Sequence, residues 1–195
     1  EKLGSHPYGY TQFAFDITDA IVADGETENV IAVKVDNSIP SSRWYSGSGI
    51  YRDVTQTVTD EVHVGYNGVK VTSKDLAEQY AGDVDVNVEA TVVNDSDAAV
   101  DVTVCSTLLD ASGASAAVSQ DTALNIEAGS EATAQLSMVV NKPHLWGIDD
   151  PYLYSVKTEV LVDGEVVDTY ENDYGFRYYS FDSETGFSFN GQMMK

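Results

Sequence analysis

From Asp83 onward the chain alternates. Val84, Val86, Val88, Ala90 and Val92 fall on one side of a period-two pattern, with Asp85, Asn87, Glu89 and Thr91 on the other. Val100, Val102, Val104, Ser106 and Leu108 repeat it, then Ala134, Leu136, Met138 and Val140, then Tyr154, Val156, Thr158, Val160 and Val162. Successive side chains of a strand project to opposite faces, so each run predicts a strand with one apolar and one wet face. Asn94-Asp95-Ser96-Asp97, Asp110-Ala111-Ser112-Gly113 and Asp163-Gly164 separate or end these runs with turn residues. Val166-Val167 return after the last of them. Short strands so spaced predict antiparallel sheets, one packed on another.

Upstream, Val30–Val35 reads as a strand between an Asp24-Gly25 turn and Asp36-Asn37, and Arg52–Val58 as another. Val62–Val64 and Val69–Thr72 flank Gly65-Tyr66-Asn67-Gly68, which predicts a hairpin. Helical signals are confined to Asp75–Tyr80 and a turn around Ile17–Val22. No aromatic residue occurs between Ala81 and His144, which sets the middle apart from both flanks. A boundary is therefore expected near Thr59–Glu61, followed by a β-sandwich of immunoglobulin-like size.

Charge narrows the partners. Ten Lys and Arg against 32 Asp and Glu give the 195 residues a formal charge of −22, with no Lys or Arg between Asp75 and Asn141. Such a field repels nucleic acid, anionic lipid and phosphorylated ligands, but not neutral sugars. Most of these carboxylates read as a solubilising surface. Cys105 is alone, which excludes an internal disulfide and a cysteine metal site; alternating with valines, it is expected to be a buried small hydrophobe. No apolar run reaches the length of a membrane-spanning helix. The abrupt ends read as those of a fragment of a longer polypeptide.

Candidate chemistry is sparse. Asp83-Val84-Asp85-Val86-Asn87 begins like a calcium loop, but Val88 stands where Gly is needed and Asn94 where a bidentate Glu is needed. Strand alternation accounts for those acids instead. His6, His63 and His144 share no spacing suited to zinc or a catalytic triad. Among 32 carboxylates some pair lies at glycosidase separation by chance, so their number is no sign of acid–base catalysis. Gly47-Ser48-Gly49 reads as the joints of a tight loop. That leaves three arginines. Arg52 is expected to pair with Asp53 or Asp16, and Arg177 likewise with a carboxylate. Arg43 differs, because Trp44 and Tyr45 adjoin it in a loop. A planar five-donor group beside aromatic faces suits a sugar's hydroxyls and C–H surface. It equally suits a loop anchor buried against a neighbouring domain.

Several segments in order resemble glycoside hydrolase family 2, bacterial β-galactosidases in particular. They are Gly9-Tyr10-Thr11-Gln12-Phe13 (Gln12 where Pro is usual) with Phe15-Asp16-Ile17-Thr18, then Asn29–Asn37, then Arg43-Trp44-Tyr45 through Gly49-Ile50-Tyr51-Arg52-Asp53-Val54. Leu145-Trp146 with Pro151-Tyr152-Leu153-Tyr154 follows, and then Gly175-Phe176-Arg177 with Phe189-Asn190-Gly191. The resemblance implies an all-β chain: a partial jelly-roll sandwich (1–60), an immunoglobulin-like antiparallel β-sandwich (61–178) and a lead-in to a catalytic TIM barrel (179–195). It implies a retaining hydrolase of terminal β-galactosides whose two catalytic glutamates, about 5 Å apart, lie on that barrel. No catalytic residue, metal or cofactor falls within this chain on that basis. Arg43, with Trp44 or Tyr45 beside it, would then reach the sugar. Implied partners are the barrel of the same polypeptide and a β-galactoside, with no nucleic acid or membrane; a truncated jelly roll would also invite self-association. The competing expectation is a free-standing carbohydrate-binding or cell-surface adhesion module.

Overall fold

The computed structural model describes residues 2–38 and 47–194. The chain divides into two units, Glu1–Gln56 and Thr57–Lys195.

Among its described residues the second unit holds eleven strands. They are β1 (Val62–Thr72), β2 (Asp83–Asn94), β3 (Val100–Leu109), β4 (Ser115–Val118), β5 (Thr122–Ile126), β6 (Ser130–Asn141), β7 (Tyr154–Val162), β8 (Glu165–Tyr174), β9 (Tyr179–Asp182), β10 (Gly186–Phe189) and β11 (Gln192–Met193), with one short helix, α1 (Leu76–Gln79). One sheet has the order β1-β2-β6 and a second the order β4-β3-β7-β8, with β5 also paired to β3; β11-β10-β9 form a small third sheet. Every ladder between these strands is antiparallel. The alternating valines meet between the first two sheets: Val84, Val86, Val88, Val92, Val104, Val156 and Val160 are fully buried. Asp83, Asp85 and Asp101 stay on the wet faces. Asp83 accepts from Asn141 and Asp85 from Gln79, which bears out the strand reading of the calcium-like acids.

Between β7 and β8, Asp163 and Gly164 both take positive φ (52° and 83°), which a type I′ hairpin turn requires. The expected hairpin at Gly65–Gly68 does not form. Both flanking segments pair with β2, as Val64↔Val92 and Val69↔Ala90, so the four residues are a bulge within one continuous strand. Valines on both sides of the glycines seek the same core. A Cβ on Gly68 would stand 2.7 Å from the Gly65 carbonyl oxygen and 2.9 Å from that of Thr91, so only glycine fits.

Two buried hydroxyls inside the sandwich satisfy each other. The Ser106 hydroxyl lies 2.8 Å from that of Thr158, and the Ser106 amide donates to the Ser119 hydroxyl (2.9 Å). Cys105 is corrected by the same alternation. It occupies the outer face opposite Glu159 and is half-buried, while Ser106 takes the interior. Partial burial, with Glu159 and Asp121 nearby, pushes its thiol pKa up.

Upstream of β1 the expected strands Val30–Val35 and Arg52–Val58 are not formed among the described residues. Val30, Ile31, Val33 and Val35 are exposed. Alternation reports which faces a strand would have, whereas a strand also needs a neighbour to supply its ladder hydrogen bonds. The only regular element described here is a 3₁₀ turn, Thr18–Ala20, in the predicted place. The Asp24-Gly25 turn is formed. Asp24 accepts the Thr27 hydroxyl (2.6 Å) and the amides of Thr27 (2.7 Å) and Glu26 (2.9 Å). These bonds, the Thr27 hydroxyl foremost, lower its pKa from 3.8 to about 2. Because the folded value is the depressed one, the turn's stabilisation is complete above pH 3.8 and is lost as pH falls towards 2. Titration of the Asp24 carboxyl carbon by NMR should show a midpoint near 2, whereas one near 3.8 would mean the turn is open in solution.

Candidate functional site

Arg43, Trp44 and Tyr45, the sugar-binding candidates, lie outside the described residues. The flanks of their loop are described. On the entry side Asp36 bends the chain by accepting the Ser38 hydroxyl (2.5 Å) and amide (3.0 Å), which hold its carboxyl below the usual range. On the exit side Gly49 takes φ +144°, a conformation L side chains rarely adopt. The Tyr51 hydroxyl donates to the Gly9 carbonyl (3.3 Å), and the Arg52 guanidinium lies over the Tyr51 ring, 5.5 Å from its centre.

The expected carboxylate partners of two arginines are not found. Among the described residues no ion pair includes Arg52 or Arg177. Each stacks on an aromatic ring near it instead: Arg52 on Tyr51, and Arg177 on Trp146 at 5.3 Å. A guanidinium is weakly hydrated and planar, so a ring face competes with exposed carboxylates that water already solvates.

Trp146 is the centre of a second aromatic site, where the small sheet meets the sandwich. Leu145 and Phe176 form a parallel bridge, and the Trp146 amide donates to the Phe176 carbonyl (2.8 Å). A Cβ on Gly175 would lie 3.0 Å from the Trp146 Cβ, so the bare glycine lets the indole lie against the backbone. Phe189 meets the indole edge to face at 5.9 Å. Asn190 donates from Nδ2 to the Trp146 carbonyl (2.9 Å) and accepts the Tyr178 amide at Oδ1 (3.1 Å).

His144, scattered in sequence from other histidines, gains neighbours in space. Its Nε2 is 2.6 Å from Asp150 Oδ2, and its ring stacks on Tyr152 at 4.2 Å. The Tyr154 hydroxyl accepts the His144 amide (3.0 Å), and that of Tyr152 accepts the Ala111 amide (3.2 Å). Ala111, Asp150, Tyr152 and Tyr154, though not His144, line an open groove of about 660 Å³ together with Asp110, Glu171 and Asp173 among others. Asp110 is engaged in its own turn, accepting the Ser112 hydroxyl (2.6 Å) and the amides of Ser112 and Ala114, and is held ionised below the usual range. Asp150 is engaged with His144. Two of the lining acids, Asp110 and Asp150, are thus engaged within the structure, while Glu171 and Asp173 lie on β8. Among the described residues no three His, Cys, Asp or Glu come together to hold a metal ion.

Asn94 is the residue that sequence reasoning missed. Assigned to a turn, it is fully buried. Its Nδ2 donates to the carbonyls of Ala98 (2.8 Å) and Ile126 (2.9 Å), while Oδ1 accepts the Ser96 amide and hydroxyl. It ties the corner where the chain leaves one sheet for the other. An Asn ending a valine run at a crossover was the available signal.

The family model for Glycosyl hydrolases family 2 matches residues 62–177, the β1–β8 sandwich and the start of the Trp146 junction. The chain is similar over its whole length, at 42% identity, to the beta-galactosidase BoGH2A of Bacteroides ovatus, of which it spans 22%. It is 30% identical to a beta-glucuronidase of Bacteroides fragilis, covering 98% of this chain and 28% of that protein. A crystal structure of a glycosyl hydrolase family 2 member from Bacteroides cellulosilyticus superposes with a TM-score of 0.88 at 33% identity, over 99% of this chain and 26% of that one.

Proposed function

The chain belongs to glycosyl hydrolases family 2, and on that premise we propose that it is the non-catalytic β portion of a retaining β-galactosidase. In this reading residues 1–60 end a sugar-binding jelly roll, 61–178 are the immunoglobulin-like domain, and 179–195 lead into a catalytic barrel that carries both reactive carboxylates. Arg43, assisted by Trp44 and Tyr45, reaches the rim of the sugar pocket from the first of these. The observation that carries the galactoside reading is the full-length 42% identity to a protein named a beta-galactosidase.

A second reading has its own support. The 30% identical relative is named a beta-glucuronidase, and a glucuronide adds a carboxylate that an arginine fork would hold in two parallel bonds. The whole polypeptide, offered nitrophenyl β-galactoside and nitrophenyl β-glucuronide side by side, separates them. Preference for the galactoside by at least tenfold in kcat/KM is expected; the reverse preference would assign a glucuronidase. Residues 1–195 alone are expected to turn over neither substrate. Hydrolysis by this portion that a point substitution abolishes would overturn the scaffold reading and return attention to its own carboxylates.

A further inference from the structure

We propose that Asn190 is a positioning residue that fixes the angle of the small β9–β11 sheet on the sandwich. This rests on the reading of 179–195 as the lead-in to a catalytic domain.

The geometry is that of a clamp. Asn190 closes the turn between β10 and β11 with φ +46°, followed by Gly191 at φ +77°. Its backbone amide donates to the Tyr178 carbonyl (2.9 Å), and its Oδ1 takes the Tyr178 amide in return. The remaining arm, Nδ2, crosses to the Trp146 carbonyl, on the loop that leads into β7. One side chain thus bonds to the start of the small sheet and to the sandwich together. Both ends of the clamp are themselves held. Trp146 has Gly175 and Arg177 against its ring and its amide on Phe176, while the Tyr178 ring lies 5.6 Å from Tyr80, which follows α1.

What is clamped has a definite orientation. Tyr179 faces Phe189 and Phe181 faces Phe187 across the ladder, so four rings share one face while Ser180, Asp182 and Ser188 share the other. Tilting the sheet would carry that whole face with it. Of the four, Phe189 meets the Trp146 ring, whereas Phe181 is 77% exposed. The Asn190 side chain is therefore the polar bond that sets direction, where apolar contact alone would permit sliding.

Asn190→Gly tests this because glycine accepts φ +46° without strain, so a merely local turn role would be untouched or relieved. In the full-length polypeptide, hydrogen exchange of the Tyr178 amide is expected to quicken at least tenfold in Asn190→Gly, with Val156 and Val160 amides unchanged. Asn190→Asp, which keeps the acceptor and loses the donor to Trp146, should protect Tyr178 yet still shift the assigned Trp146 indole N–H resonance. Unchanged exchange and an unmoved Trp146 resonance in both variants would overturn the clamp, whatever the enzyme's substrate proves to be. Kinetics then test the consequence. If the clamp keeps the pocket assembled, substrate selects the assembled fraction, so KM should rise about fivefold with kcat nearly unchanged. A fall in kcat at constant KM would instead mean lost folded protein, and would refute positioning.

Discussion

Phe176→Ala should lower the stability of the sandwich by about 3–5 kcal/mol, read as a fall in its urea midpoint. Phe176 is the largest of the fully buried side chains. Tyr154 meets it at 5.1 Å and 87°, and Tyr174 at 5.0 Å and 83°, the edge-to-face arrangement in which a ring's positive rim meets a negative face. Removing the ring leaves a cavity that two tyrosines cannot fill. The Tyr154 hydroxyl is spent on the His144 amide and that of Tyr174 on Ser73, 2.8 Å away. Burial already pushes both phenols up in pKa, and water entering the cavity should bring the Tyr174 value back towards the ordinary one. Phe176→Leu keeps most of the volume without the edge-to-face pairs and should cost roughly 1–2 kcal/mol. Equal losses for leucine and alanine would show that burial of any apolar group suffices and that the ring geometry adds nothing.

Phe176 also shows what was legible in the sequence. Its neighbourhood stood out through Gly175-Phe176-Arg177, but nothing in period-two alternation says that Leu145 and Phe176 form a bridge 31 positions apart. The alternation of β2, β3, β6 and β7 was plain because one face of each is buried and the other wet, and a one-residue slip would invert both. β4 and β5 were not legible: they are short edge strands, and Ser115, Ala116 and Val118 in β4 are all exposed. The Gly65–Gly68 bulge was misread as a hairpin for a related reason. Glycine and Asn signal a departure from the ladder, but not whether the chain reverses or rejoins the same partner. Cys105 reads as buried because it is small and apolar, but the same valine phase that places Ser106 inside, against the Thr158 hydroxyl, puts the neighbouring thiol on the outer face. The arginines were paired on charge, and ring faces that became available only in the fold took two of them.

For Arg43 the decisive measurement is kinetic. In the whole polypeptide, Arg43→Ala should lower kcat/KM for the preferred aryl glycoside by about tenfold to a hundredfold, the value of one charge-assisted contact of roughly 1.5–3 kcal/mol. A guanidinium offers five donors in a fixed plane, and a sugar presents hydroxyls that accept them, so truncation leaves those hydroxyls to water at the pocket's edge. Arg43→Lys then discriminates. A lysine keeps the charge and loses the fork, so it should recover less than half of the lost free energy if the contact is planar and bidentate, and nearly all of it if only charge matters. Thermal unfolding of the same variants supplies the remaining arm. An arginine that only anchors its loop against a neighbouring domain would leave kcat/KM within a factor of two of the parent while lowering the unfolding temperature. An arginine that meets substrate would do the reverse, and Trp44→Ala beside it should then raise KM by removing the ring on which a sugar face can stack.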